Sequence, residues 1–370
     1  IMVKKNDNIF VWSYLEDYKK NKEIILKLVD KVFSSGNLVL ATEVSNFENN
    51  FSKFIDDGYG VGVNSGTDAL KIAMMAIDIK KDDEVITVSN TAVPTVSAIV
   101  ECGAKPVFVD VNERDFLINP NLIQEKITKK TKAIIPVNLY GQSANYKEIK
   151  KIAKKNDLKV IEDCAQSTGS LYQSKPSGSH GDIAAFSFYP TKILGAYGDG
   201  GMVVTKNKKL FLKSKKLRKY GMSKLYYSEI HGVNSRLDEV QAAILNFQLS
   251  KLKSNIFKRR IIAKTYRENI KNDKLILPIE TDNNQHAYYV YVVRHPQRKK
   301  IMEYLRKNGI YCNISYQYPI HSMRGYKHFN DKKNDLKITE KLSQQIFSLP
   351  MYPELDTKKI EKVIDVINKY

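Results

Sequence analysis

Seven short apolar runs, at residues 60–63, 84–88, 106–111, 132–137, 158–162, 182–188 and 202–205, recur between helical patterns such as 68–77, 96–101, 121–127 and 146–156. A strand that is apolar along its whole length has to be covered on both faces, and helices placed between successive strands make them parallel. The alternation therefore predicts an α/β fold on a mostly parallel sheet. Ligands of such sheets bind outside the carboxyl ends of the strands, so those ends are where chemistry is expected.

Four of the ends carry informative residues. Asn64-Ser65-Gly66-Thr67-Asp68-Ala69-Leu70 opens an apolar helix whose first N–H groups and dipole suit a phosphate, although an ordinary helix cap has the same appearance. The turn Ser89-Asn90-Thr91-Ala92-Val93-Pro94-Thr95 is stiffened by Pro94. Asp163 stands where the fifth run stops, in Glu162-Asp163-Cys164-Ala165-Gln166, and either answers a cation or caps the turn that follows. The sixth run ends in Ser187-Phe188-Tyr189-Pro190-Thr191-Lys192, ahead of the glycine-rich stretch 195–201.

A lysine at the tip of an apolar strand becomes a carbonyl-seeking amine once desolvated, the basis of Schiff-base catalysis. Any one of 60 lysines and arginines is more often simply solvated, so the neighbours decide. They offer a carboxylate, the Gln166 amide, the Ser187 hydroxyl and a phosphate cradle. Pyridoxal phosphate needs that set: a lysine for its aldehyde, an acid for its pyridine nitrogen and donors for its phosphate.

Composition removes several other classes. At 370 residues, with about 100–200 residues to a domain, the chain suggests one large domain and a smaller one. The formal charge of +20 is spread over predicted helix surfaces, which fits a lysine-rich composition and an anionic small substrate better than nucleic acid. Cys102, Cys164 and Cys312 are far apart and form no metal-binding spacing, so reduced thiols and no metal are expected. Lys4-Lys5-Asn6-Asp7 is followed by no apolar leader, and no run of about 18 apolar residues occurs. No membrane partner and a cytoplasmic location are the expectations.

These segments, with Gly103-Ala104-Lys105-Pro106-Val107-Phe108-Val109-Asp110, Leu139-Tyr140-Gly141-Gln142, Gly198-Asp199-Gly200-Gly201 and Gly232-Val233-Asn234-Ser235-Arg236-Leu237-Asp238, resemble the DegT-type nucleotide-sugar aminotransferases over residues 10 to 370. The resemblance implies the pyridoxal-phosphate-dependent aspartate aminotransferase fold (fold type I), with a mostly parallel seven-stranded sheet in the large domain and a smaller C-terminal α/β domain. It implies that Lys192 bears the cofactor, Asp163 pairs with the pyridinium and Gln166 approaches the cofactor hydroxyl. Gly66, Thr67 and Ser187 would bind the phosphate, and Asn234 would reach it from the other subunit of a homodimer with a shared active site. Asn138, Thr168 and Ser315 stand where the family commonly has histidine, and Ala92 where an aromatic residue stacks on the cofactor.

The N-terminal arm is expected over residues 1–25, the large domain over 26–249, and a long connecting helix with the small domain over 250–370. Helices are predicted at 22–33 and from 44 to 54, with the arm lying either on its own subunit or on a partner. In the small domain the patterns predict strands at 288–293 and 310–314 and helices at 297–308, 335–347 and 358–368. Ser235 and Asp238 have capping-box spacing at the start of the connecting helix. The loop Tyr316-Gln317-Tyr318-Pro319-Ile320-His321 resembles the family's sugar-nucleotide loop, which makes Tyr316, Tyr318 and His321, together with Tyr189, candidate substrate contacts. Within the family, Ser235 resembles the group that aminates sugar C-3; the C-4 group tends to carry an aromatic there. The expected substrates are a dTDP-linked 3-keto-6-deoxyhexose and L-glutamate, in the making of amino sugars for a surface glycan. A C-4 aminotransferase is the nearest rival. A sugar dehydratase, with histidine for Lys192, and a non-enzymatic sensor on the same fold are more distant.

Overall fold

The structure is a computed structural model that describes residues 8–56, 58–330 and 335–370. Residues 1–7 of the expected arm, with Lys4 to Asp7, lie outside the described residues.

All seven apolar runs form strands of one sheet: β1 Tyr59–Val63, β2 Glu84–Val88, β3 Lys105–Val109, β4 Thr131–Ile134, β5 Lys159–Asp163, β6 Ile183–Ser187 and β7 Gly201–Thr205. Their order is β1-β7-β6-β5-β4-β2-β3. Only β7 runs against its neighbours β1 and β6; the pairs from β6 across to β3 are parallel.

Ten helices surround this sheet and the smaller domain among the described residues: α1 Leu15–Ser35, α2 Thr42–Phe54, α3 Gly66–Ala76, α4 Val93–Glu101, α5 Tyr146–Lys155, α6 Lys208–Leu217, α7 Glu239–Asn269, α8 Arg298–Lys307, α9 Lys337–Gln345 and α10 Thr357–Lys369. Alternate residues of each strand feed opposite helix layers. Ile183 and Ala185 pack with α3, α4 and α6, while Ala184 and Phe186 pack with α2 and α7. Phe47 and Phe51 of α2 meet Phe186 and Phe188 edge-on at centroid distances of 4.9 to 5.2 Å. This cluster clamps the strand that leads to Lys192.

Several expectations change. The first helix begins at Leu15 and runs through the expected boundary at 25. Ahead of it, Ile9–Phe10 pairs in parallel with Ile310–Tyr311 of the same chain, so this part of the arm lies on its own small domain. The pattern at 121–127 is two 3-10 turns, Pro120–Leu122 and Gln124–Lys126, on either side of the buried Ile123, with Leu122 and Ile127 packed against the same core. The strand expected at 310–314 is only two residues long. The helix expected to 347 stops at Gln345, where Ile346–Leu349 turns into a strand antiparallel to Tyr291–Arg294. α7 crosses the expected division at 249 without interruption, and its far half packs with α10 in the small-domain core.

Candidate active site

The ends of β1, β5 and β6 and the start of α3 enclose a cavity of about 310 Å3, lined by Gly66, Thr67, Ala92, Asp163, Gln166, Ser187, Tyr189 and Lys192 among others. At its floor, Ser65 caps α3 by accepting the Asp68 N–H at 3.1 Å. The N–H groups of the first turn are thereby turned toward the cavity end of the helix. A Cβ at Gly66 would stand 2.6 Å from the Cβ of Ser187, so only glycine leaves this cradle open beside the Ser187 hydroxyl. Gly201 has the same role behind it: a Cβ there would lie 2.2 Å from the Ser65 carbonyl oxygen.

Asp163 is buried at the end of β5. Its Oδ2 accepts the Thr95 hydroxyl at 2.8 Å, and Oδ1 accepts the Ala165 N–H at 3.1 Å. Of the two roles its sequence position offered, the cap on the next turn is formed, and the Lys192 charge is close enough to act on the carboxylate. Burial raises its pKa, an effect opposed by the Thr95 and Ala165 bonds and by the nearby charge of Lys192. Thr95 is itself bonded to Thr91 at 2.8 Å, a residue of the turn that precedes α4. In the sequence that segment reads only as a turn, and no local pattern marks Thr95 as the partner of Asp163.

Gln166 is held at both ends. Its Oε1 accepts the Tyr140 N–H at 2.9 Å, and its amide donates to the Tyr316 hydroxyl at 2.6 Å. A second N–H of the amide remains available. Tyr316 thus joins the site through Gln166 and stacks on Tyr140 at 6.2 Å. Tyr189 is 51% exposed on the cavity rim.

Other candidates are placed elsewhere. Tyr318 is 63% exposed and is not among the residues lining this cavity. His321 is buried with both ring nitrogens engaged, Nδ1 to the Ser89 hydroxyl at 2.7 Å and Nε2 to Glu340 at 3.1 Å. The cause is local: the Ile320 N–H donates to the Ser89 carbonyl, drawing the 3-10 turn Ile320–Ser322 onto the end of β2. Asn234 is exposed and outside the cavity lining.

The expected capping box does not form. Asp238 precedes α7 with no side-chain cap bond, because Ser235 is fully buried and committed to the cradle: its hydroxyl donates to Asp68 at 2.6 Å and accepts the Asn64 N–H at 3.0 Å. The loop bearing Asn234 is thereby fastened to the turn that starts α3. Asn138 is also structural, donating to Ser177 and accepting from Ala144 N–H and the Tyr146 hydroxyl.

A second cavity, of about 280 Å3, adjoins the first at Lys192 and is lined by Trp12, Tyr14, Tyr197, Arg259, Tyr352 and Glu354 among others. Nothing in the sequence pointed to it, since its walls come from the arm, α7 and the chain before α10. No cluster of metal-ligating side chains occurs among the described residues, and no helix among them is long and apolar enough to cross a membrane.

The fit to pyridoxal phosphate is specific in two observations: a glycine-kept cradle at a helix start beside a serine hydroxyl, and a buried carboxylate whose neighbours are a hydroxyl, a backbone amide and the lysine of the same cavity. Comparison with known proteins agrees. The DegT/DnrJ/EryC1/StrS aminotransferase family matches residues 19–368. The chain is 45% identical over 366 residues to a dTDP-3-amino-3,4,6-trideoxy-alpha-D-glucose transaminase of Micromonospora megalomicea, covering 97% of this chain and 98% of that one. It is 42% identical to a dTDP-3-amino-3,6-dideoxy-alpha-D-galactopyranose transaminase of Aneurinibacillus thermoaerophilus, covering 94% and 95%. The crystal structure of S. venezuelae DesV in complex with a ketimine intermediate superposes with a TM-score of 0.96 at 32% identity, covering 98% of each chain. With cradle, carboxylate and lysine in place on this fold, the chain belongs to the DegT/DnrJ/EryC1/StrS family and is a pyridoxal-phosphate-dependent aminotransferase acting on nucleotide sugars.

Proposed function

We propose that the enzyme moves an amino group from L-glutamate to the C-3 keto group of a dTDP-linked 3-keto-6-deoxyhexose. The observation that carries the reading is the cavity in which the Lys192 amine and the buried Asp163 carboxylate share one space with the start of α3. The choice of C-3 is supported by the two relatives named for 3-amino sugars. It is supported too by Ser235, whose buried hydroxyl bonds Asp68 and Asn64 and leaves no place for an aromatic ring.

Each residue then has a task. The Gly66 and Thr67 N–H groups and the Ser187 hydroxyl would hold the phosphate, and Gln166 would donate to the ring hydroxyl. Asp163 keeps the pyridine nitrogen protonated, a role for which a buried, rigidly bonded carboxylate is suited. When bound, the cofactor supplies an electron sink for the carbon next to the substrate nitrogen. Lys192 would be the covalent anchor and the base, its Nζ taking the proton from the donor α-carbon. Tyr189 and Tyr316 border the space left for the sugar. A homodimer completes the site, with Asn234 of one protomer reaching the phosphate held by its partner.

The test is incubation of the loaded enzyme with glutamate and, separately, with 3-keto and 4-keto dTDP-sugars, followed by mass detection of the amino sugar and of 2-oxoglutarate. Turnover of the 3-keto sugar is expected. Turnover of the 4-keto sugar alone would overturn the reading in favour of a C-4 enzyme.

A further inference from the structure

The amine of Lys192 has a close neighbour with no task in the scheme above. Its Nζ lies over the face of Tyr289, 4.9 Å from the ring centroid. The same ring is bonded to the residue next to the lysine, with the Tyr289 hydroxyl and Thr191 Oγ1 3.0 Å apart. Tyr289 lies in the chain between α7 and the strand Tyr291–Arg294, and its ring packs against the core cluster that contains Phe186 and Phe188.

The backbone behind the ring is fixed from two directions. The Ala287 N–H donates to the Gly141 carbonyl at 2.8 Å. Gly141 has φ +110°, and a Cβ there would lie 2.8 Å from the backbone nitrogens of both Tyr288 and Tyr289. The buried guanidinium of Arg259 donates to the carbonyls of Tyr288, Tyr289 and Met351 at 3.1, 3.2 and 3.0 Å. A ring anchored at its backbone and its hydroxyl offers one orientation, and an aromatic face attracts a cation.

Lys192 also forms part of the wall between the cofactor cavity and the second cavity. A flexible four-carbon stem lets an ammonium sample either side. Across the two half-reactions a cofactor-bearing lysine would be displaced once by the amino donor and would return once when the aminated product leaves, so an amine lost into the second cavity between those events would be out of reach.

We propose that Tyr289 is a positioning residue for Lys192, its ring face holding the amine at the wall between the two cavities whenever the amine is not bonded to the cofactor. The proposal rests on Lys192 being the cofactor-bearing lysine. No group on the described residues other than Tyr289 is recorded with its ring under this amine. The Thr191 bond makes the arrangement self-consistent, because the residue that places the ring is adjacent to the residue the ring places.

The experiment is amine-directed labelling of the cofactor-stripped full chain with a trinitrophenyl sulfonate, the Lys192 peptide being quantified by mass spectrometry, in the parent and in Tyr289→Phe and Tyr289→Leu. Removing the ring should speed labelling of Lys192 about two- to fivefold, the factor a single cation–π contact is worth. Tyr289→Phe keeps the face and should stay near the parent rate. The other lysines serve as the folding control, and Tyr289→Met provides the same comparison should leucine disturb the fold. Parent-rate labelling in the leucine and methionine variants would overturn the proposal, as would a phenylalanine variant that labels as fast as the leucine one. Failure of the underlying assignment shows separately: Lys192→Ala would still capture pyridoxal phosphate covalently.

Discussion

Asp163 is the residue whose chemistry and stability pull in opposite directions. A carboxyl whose pKa in the folded chain lies above its unfolded value holds its proton more tightly when folded, so its ionisation opposes folding. That penalty is absent below the ordinary carboxylate range, sets in as pH rises past it, and is complete above the raised value. Asp163→Asn keeps an acceptor for the Ala165 N–H and removes the charge. The cofactor-stripped variant should therefore unfold at a temperature no lower than the parent, with its advantage growing as pH rises through the carboxyl range, while transamination is lost. Thermal unfolding against pH measures this, and a variant that became relatively less stable with rising pH would contradict the burial argument. Asp163, Lys192 and the cradle were legible in the sequence because each ends an apolar run. Thr95 and Tyr289 were not, since they meet their partners across 68 and 98 residues of chain and no local pattern encodes such a contact.

At the scale of elements, α2 shows how a distant residue shapes the site. The buried carboxylate of Glu239, first residue of α7, accepts the N–H groups of Ala41, Glu43 and Val44 at 2.6, 2.7 and 3.1 Å. It satisfies the free donors at the start of α2, the helix whose Phe47 and Phe51 clamp β6. Glu239→Ala should cost about 1–3 kcal/mol of stability, seen as a lowered unfolding temperature; an unchanged temperature would mean that water replaces the cap at no cost. The strands were readable because burial on both faces leaves continuous apolar runs. The end of α9 was not, because Ile346, Phe347 and Leu349 are as apolar as a helix face and a short apolar run has no period of its own. Pairing with Tyr291–Arg294 decides that segment.

For the whole molecule, Asn234 is exposed and lies outside the lining of its own chain's cavity. The neighbouring hairpin of Met222–Lys224 and Tyr227–Ser228 carries Leu225 at 72% and Tyr226 at 90% exposure, an apolar tip that a second copy would cover in the proposed dimer. Ser235 fastens this loop to the cradle of its own chain. Asn234→Ala should leave the oligomeric state intact and raise the dissociation constant for pyridoxal phosphate about tenfold, the worth of one hydrogen bond to a charged group. Unchanged cofactor affinity would remove Asn234 from the site.

Everything in this account passes through one amine. The most direct measurement is borohydride reduction of the enzyme loaded with pyridoxal phosphate, followed by peptide mapping. A pyridoxyl group is expected on Lys192 and none in Lys192→Ala; a reduced adduct on another lysine, or one that survives in Lys192→Ala, would contradict the assignment of Lys192.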